Sequence, residues 1–417
     1  MAASPMTRAL LDRRRAMGAL VAVATAACCK RDSVSSAPPT DAGDAADVPA
    51  TPAPRDASVT ADVALELVTM LRAQVARSNG YGGGLMRIEG SDGVLWEGAA
   101  GELAHGAPEA IAAGDAFEVA SVTKTFTAAC VLQLAEEGRL RLDDELGTLL
   151  PGAITTRLLV IAGEDLGPRV TVRQLLSHRS GLADVWTDPP FPKKRGENAF
   201  VRDFMLAPHR RWKAEEVLAY ARDLSPIARP GERYRYSDTG YLLLGLLIEH
   251  LTERELHLVF RARFGEPLGL HATYLSYRET PPAPGREAHR YEEKLDLHGQ
   301  ERQSADWASG GLVSSAPDLA RFLRALARGA LFRDPSSLRE MSTFRPTGEG
   351  GIDYGLGLFR AQLPRGLGEL WGHDGHGNAF MYHWPARGIS WVGTLNQTKN
   401  DWWTLVSKSA ELLSRRM

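Results

Sequence analysis

Residues 116 to 140 read AFEVASVTKTFTAACVLQLAEEGRL, and the rest of the chain is arranged around them. A short apolar lead-in, Ala116 to Ala120, runs into a segment whose apolar residues, Phe126, Ala129, Cys130, Leu132, Leu134 and Ala135, occupy most of a helical circumference. Polar side chains resume only at Gln133, Glu136 and Glu137, and Gly138 supplies a stop. The spacing predicts a helix buried on nearly all sides. Ser121 lies where the lead-in turns into this helix, and Lys124 follows three residues later, so the two side chains share a face. The lysine ammonium then reaches the serine hydroxyl, which is a poor nucleophile at neutral pH and needs a proton-holding partner. A Ser-x-x-Lys spacing arises by chance roughly once or twice in a chain of this length. Here it occurs once, with its lysine in the first turn of an apolar helix, where an unpaired charge is costly and the helix amides face developing negative charge.

The composition, 44% apolar and 24% charged over 417 residues, is globular and sufficient for one large or two medium domains. A formal net charge of −2 argues against a nucleic-acid partner. The three cysteines, Cys28, Cys29 and Cys130, offer neither a disulfide framework nor zinc-ligand spacing, and Cys130 on the apolar helix reads as a small buried hydrophobe. Residues 1 to 27 carry Arg13, Arg14 and Arg15 and then the apolar run Ala16 to Ala27, a pattern that predicts a signal peptide too short to span a bilayer. Thr25-Ala26-Ala27-Cys28 resembles a lipoprotein processing site, which makes Cys28 the expected lipidation point and a membrane the expected partner. Residues 28 to 58 hold almost no large apolar side chain and read as a disordered tether. The expected location is therefore outside the cytoplasm, periplasmic or at the cell surface, with the folded domain spanning 59 to 417.

Within that domain an amphipathic helix is predicted from Thr60 to Arg77, then a hairpin of strands at 84 to 89 and 94 to 99. Helices follow at 170 to 178, 215 to 223, 241 to 251 and 317 to 328, and residues 184 to 215 read as an irregular excursion rich in proline and charge. Short aromatic and branched runs at 354 to 361, 369 to 372, 379 to 384 and 389 to 395 read as antiparallel strands before a closing helix at 402 to 415. The expected class is α+β: an antiparallel sheet built from both chain ends and flanked by helices, with a mainly helical subdomain from the middle of the chain. Between two helices, Pro230-Gly231 marks a turn, and Tyr236-Ser237-Asp238 lies on the loop entering the second helix, where side chains are aimed into a cleft.

Together, Ser121-Val122-Thr123-Lys124, Tyr236-Ser237-Asp238 and His373-Asp374-Gly375 resemble, in order and approximate spacing, the three motifs of the penicillin-recognising serine hydrolases: class C-type β-lactamases, D,D-peptidases and related esterases. The resemblance covers residues 60 to 417 and extends to Val172–His178 and Gly310-Gly311-Leu312. It implies that Ser121 attacks a carbonyl and becomes acylated, that Lys124 holds the proton network, and that Tyr236 is the general base. It also implies an oxyanion hole from the backbone amides of Ser121 and His376, with Asp238, His373, Asp374 and Gly375 contacting substrate and Gly375 admitting a substrate backbone. The family needs no cofactor, and the substrate is a small molecule or peptide: an ester, a D-amino-acid peptide or a β-lactam, with esters favoured. A catalytically inactive sensor of cell-wall fragments is the alternative.

Two positions depart from the family pattern: Asp238 stands where Asn is usual and Asp374 where Thr or Ser is usual. Both place a carboxylate where a donor would meet substrate, and so favour neutral or cation-bearing substrates over carboxylate-bearing ones. A metal reading of His373-Asp374-Gly375-His376 fails because His178, His209, His250 and His289 lack the clustering of a hydrolytic zinc site. No Gly-x-Ser-x-Gly elbow supports an α/β-hydrolase.

Overall fold

The computed structural model describes residues 59–190, 198–281 and 285–416. The expected signal peptide, tether and lipidation point at Cys28 lie outside the described residues. Twelve strands make two sheets: β1 (Gly84–Gly90), β2 (Gly93–Ala100), β3 (Ala116–Glu118), β4 (Tyr274–Leu275), β5 (Glu287–Ala288), β6 (Leu312–Ser315), β7 (Arg345–Pro346), β8 (Ile352–Tyr354), β9 (Phe359–Gln362), β10 (Glu369–Asp374), β11 (Phe380–Trp384) and β12 (Ile389–Thr394). The large sheet has eight strands in the order β7-β8-β9-β10-β11-β12-β1-β2. The amino-terminal hairpin therefore docks on the last strand, antiparallel, with Leu85 opposite Thr394 and Glu89 opposite Ser390. Both chain ends complete one sheet, as the alternating patterns at either end predict.

Both faces of this sheet are buried, and the alternation within β1 shows why. Leu85 packs with Phe322, Leu323, Met381 and Val392 on one face, while Met86 and Ile88 pack with Leu67, Leu71, Trp391, Trp402 and Leu413 on the other. The second face is covered by the terminal helices α1 (Ala61–Val75) and, last in the chain, Trp402–Arg416. The first face carries the buried helix α2 (Thr123–Glu136), in which every residue from Thr123 to Leu132 is buried. Phe126 stacks on Phe322 with ring centroids 3.6 Å apart. Three threonine hydroxyls spaced two apart also hold the helix: Thr123 donates to the carbonyl of Ala120, Thr125 to that of Gly357 and Thr127 to that of Ala308.

The middle of the chain is helical, with α3 (Val172–Leu176), α4 (Ala199–Leu206) and α5 (Asp238–Thr252), and α6 (Ala316–Ala327) leads back to the sheet; the terminal helix is α7. Two local expectations change. The stretch from 184 to 215 is not irregular throughout: α4 forms in it, capped by the Asn198 side chain accepting from the Val201 amide, and buries Phe200, Val201 and Phe204. The run from Tyr354 to Ala361 is two strands rather than one, because the chain turns at Gly355 to Leu358, with Gly357 at φ +78°. A second sheet, β4-β6-β3-β5, places β3, and with it the turn carrying Ser121, beside β6.

Candidate active site

Ser121 sits on a strained turn. It follows Ala120, whose φ is +46°, in a single 3-10 turn between β3 and α2. The Val119 amide donates to the Leu312 carbonyl at 2.9 Å, and the Leu312 amide donates to the Thr123 hydroxyl at 3.1 Å, so β6 grips the turn from both sides. Lys124 is fully buried, and its ammonium has three acceptors: the Ser121 hydroxyl at 3.0 Å, the Asp238 carboxylate at 2.5 Å and the Ser309 carbonyl at 2.7 Å. An ammonium has three protons to donate, and all three are used.

Tyr236, Tyr241 and Tyr354 surround the lysine and differ in their access to the cavity. The Lys124 nitrogen lies 4.9 Å from the Tyr236 ring centroid and 5.5 Å from that of Tyr241. Burial pushes the Tyr241 and Tyr354 phenols far above the ordinary tyrosine range, and Tyr241 donates to the Leu176 carbonyl at 2.9 Å. Tyr236 instead lines the cavity that Ser121 opens into. Its loop is positioned from α3: the His178 Nδ1 accepts from the Ser237 amide at 3.1 Å, and the His178 and Tyr236 rings lie 4.2 Å apart. Accepting there leaves His178 neutral, with its proton on Nε2. Asp238 is fixed from behind by Asp184, whose carboxylate accepts from the Asp238 amide at 3.0 Å. Burial, followed by the charges of Asp238 and Asp188, pushes the Asp184 carboxyl up to about 7.

The third motif is built differently from the expectation. His373 is fully buried, its Nδ1 donating to the Asp374 carbonyl at 2.8 Å and its Nε2 meeting the Tyr354 hydroxyl at 3.1 Å. Asp374 pairs with Phe380 across the sheet, and its carboxylate accepts from the Tyr382 hydroxyl at 2.9 Å. The Phe380 and Tyr382 rings both stack on Trp402 of α7, so strand alternation turns Asp374 to the face covered by the terminal helices. At Gly375 a Cβ would lie 2.3 Å from the Val119 carbonyl oxygen. Its bare backbone lets the end of β10 press against the Ser121 turn, bringing His376 to the same cavity as Ser121. None of His373, Asp374 or Gly375 is among the cavity-lining residues; Ser121, Tyr236, Asp238 and His376 are.

Four further charged groups in the cavity wall carry no motif in the sequence. Arg290 is buried and its Nε donates to Glu118 at 2.5 Å. Glu292 meets His376 Nε2 at 2.6 Å; burial raises its pKa, but the contacts with His376, Thr398 and Arg290 together outweigh that and leave it below the usual carboxylate range. Burial pushes Asp306 up to about 7 against the opposing pull of Arg290. Arg302 lies further along the same wall. Trp186, Val201, Phe204, Met205, Leu295 and Leu297 supply the apolar lining. Among the described residues, no group of three His, Cys, Asp or Glu side chains is placed to hold a metal.

The Beta-lactamase family model matches residues 69–403. The chain belongs to that family. The fold agrees: a D-stereospecific amidohydrolase from Streptomyces sp. superposes with a TM-score of 0.69 at 30% identity, over 83% of this chain and 98% of that one. A D-amino acid amidase from Ochrobactrum anthropi SV3 matches in fold at a TM-score of 0.69 and 23% identity, over 84% of this chain and all (100%) of that one. By sequence, Penicillin-binding protein 4 of Amycolatopsis lactamdurans is 33% identical over 180 residues, which are 43% of this chain and 41% of that protein. The match thus spans about two fifths of that relative's length (41%).

One pH dependence follows from Asp306. In the folded protein its carboxyl holds a proton up to about 7, against 3.8 for the ordinary group, so between those values the folded state binds more protons than the unfolded one. The contribution of this group to stability is largest below the lower value and falls as pH rises toward the upper one. Urea denaturation of the wild type and Asp306→Asn from pH 4 to pH 8 is expected to show the variant gaining on the wild type up to about pH 7 and then levelling. A pH-independent difference would contradict the assignment.

Proposed function

We propose that the protein is a serine hydrolase working through an acyl-enzyme at Ser121, and the observation that carries this reading is the buried Lys124 ammonium shared among Ser121, Asp238 and Ser309. Lys124 fixes the serine oxygen and stabilises negative charge on it, while Tyr236 accepts its proton as the oxygen attacks a carbonyl carbon. The amides of Ser121 and His376 receive the developing oxyanion, and the proton on Tyr236 passes to the leaving group. A water then deacylates the enzyme by the same steps in reverse order, with Tyr236 again the base.

The family spans amidases, esterases and penicillin-binding proteins, and esters are the favoured substrates here because an alkoxide departs more readily than an amine, which must first be protonated. The apolar cavity wall suits a hydrophobic acyl group. The expected bias against carboxylate-bearing substrates loses its support, since Asp374 is engaged by Tyr382 and Asp238 by Lys124. Export and anchoring through Cys28 complete the proposal, resting on the arginine run, the short apolar segment and the tether.

Intact-protein mass spectrometry after exposure to a chromogenic phenyl ester, a fluorophosphonate and a penicillin tests the chemistry. An adduct that maps to Ser121, vanishes in Ser121→Ala and forms about 10²- to 10⁴-fold more slowly in Tyr236→Phe is expected. The absence of an adduct with all three reagents would favour the inactive sensor instead. Anchoring is tested by growing cells with a clickable fatty acid: the wild type is expected to be labelled and Cys28→Ser unlabelled, whereas an unlabelled wild type would remove the anchor.

A further inference from the structure

Among the described residues, the charged groups in the cavity wall other than Arg302 each have a polar partner or are relieved of charge. Asp238 meets Lys124, Arg290 meets Glu118 and Glu292 meets the His376 ring, while burial favours the neutral form of Asp306. Arg302 is the exception. It is 3% exposed, its Nη1 donates to the carbonyls of Phe204 at 3.3 Å and Met205 at 3.1 Å, and its Nε is buried without a hydrogen-bond partner. Burial alone lowers its pKa, with no carboxylate close enough to oppose the effect. A guanidinium nonetheless stays charged at neutral pH.

A buried cation without a counter-ion is costly, and the structural use of Arg302 meets only part of that cost. Phe204 and Met205 lie in the last turn of α4, so Nη1 satisfies end-of-helix carbonyls at the negative end of its dipole. Capping needs one nitrogen, and a neutral donor would serve. A fork of donors suits a carboxylate, which accepts two parallel N–H bonds. The surrounding wall, Trp186, Val201, Phe204 and Met205, suits an apolar body attached to that group.

We infer that Arg302 seats an anionic group of the substrate, a carboxylate carried on an apolar body, within the cavity that holds Ser121. The word substrate rests on the hydrolase reading; the anion seat does not. The third motif, the position expected to contact substrate, cannot do this work, because His373 is buried against Tyr354 and Asp374 is turned to Tyr382. The preference for carboxylate-bearing ligands is therefore set on the α4 side of the cavity.

Isothermal titration with 4-phenylbutyrate and with 4-phenylbutyramide separates charge recognition from apolar binding. The wild type is expected to bind the carboxylate at least about tenfold more tightly than the amide. Arg302→Gln is expected to bring the ratio to about one while keeping the amide affinity, and Arg302→Lys to retain part of the preference as a single point charge. Equal affinities in the wild type, or an unchanged preference in a folded Arg302→Gln, would overturn the inference. If Arg302→Gln fails to fold for want of its cap, the wild-type ratio together with Arg302→Lys decides. The two readings fail separately: acylation of Ser121 without carboxylate preference removes only the anion seat, and carboxylate preference without acylation removes only the hydrolase.

Discussion

A lysine ammonium with no exposed surface has to be surrounded by acceptors, and in this chain that requirement organises the fold's centre. Lys124 draws its partners from three places: Ser121 on the turn just before its own helix, Asp238 at the start of α5 and the Ser309 carbonyl in the segment before β6. Each partner is anchored in turn. Asp238 rests on Asp184, Ser309 belongs to a segment tied to α2 through Thr127, and Ser121 is held by β6. Removing one partner of such a buried pair leaves an uncompensated charge, a loss of about 3–5 kcal/mol in comparable cases. The same constraint that stabilises the core aims the serine oxygen into the cavity.

The sheet contributes by proximity rather than by side chains. β10 ends at Asp374, and the Gly375 that follows has no Cβ, so its backbone can lie against Val119 and Ala120. Strand alternation then decides which residues are available. His373 goes into the aromatic cluster of Tyr354, Phe359 and Tyr236, Asp374 goes to the face under α7, and His376 reaches the cavity, where Glu292 holds it. The rest of the cavity wall is made by the helical subdomain and the segment from 290 to 310, outside all three motifs.

Much of this was legible in the sequence because it rests on local periodicity. The apolar circumference of α2, the alternation in β1 and in the closing strands, and the Ser121, Lys124, Tyr236 order each follow from spacing. The predicted helix at 170 to 178 forms as α3, with a full capping box between Thr171 and Gln174. What spacing does not reveal is which way a single residue on a twisted strand points. Spacing alone points Asp374 and Gly375 at a substrate, whereas in the fold one meets Tyr382 and the other lies against the chain's own backbone. Arg290, Glu292, Asp306 and Arg302 have no signature at all, since only the tertiary fold brings them to one cavity, and the same holds for Asp184 behind Asp238. The helix α4 was obscured by the proline and charge around it, although Asn198 was available as a cap.

In the proposed mechanism Lys124 donates to Ser121 and Tyr236 takes the serine proton. Nitrogen-15 NMR of lysine side chains, with the Lys124 resonance identified by its loss in Lys124→Met, tests this directly. An ammonium bearing three slowly exchanging protons at pH 7, perturbed by Asp238→Asn, is expected. A neutral Lys124 amine at pH 7, exchanging freely or insensitive to Asp238→Asn, would contradict it and make the lysine itself the base.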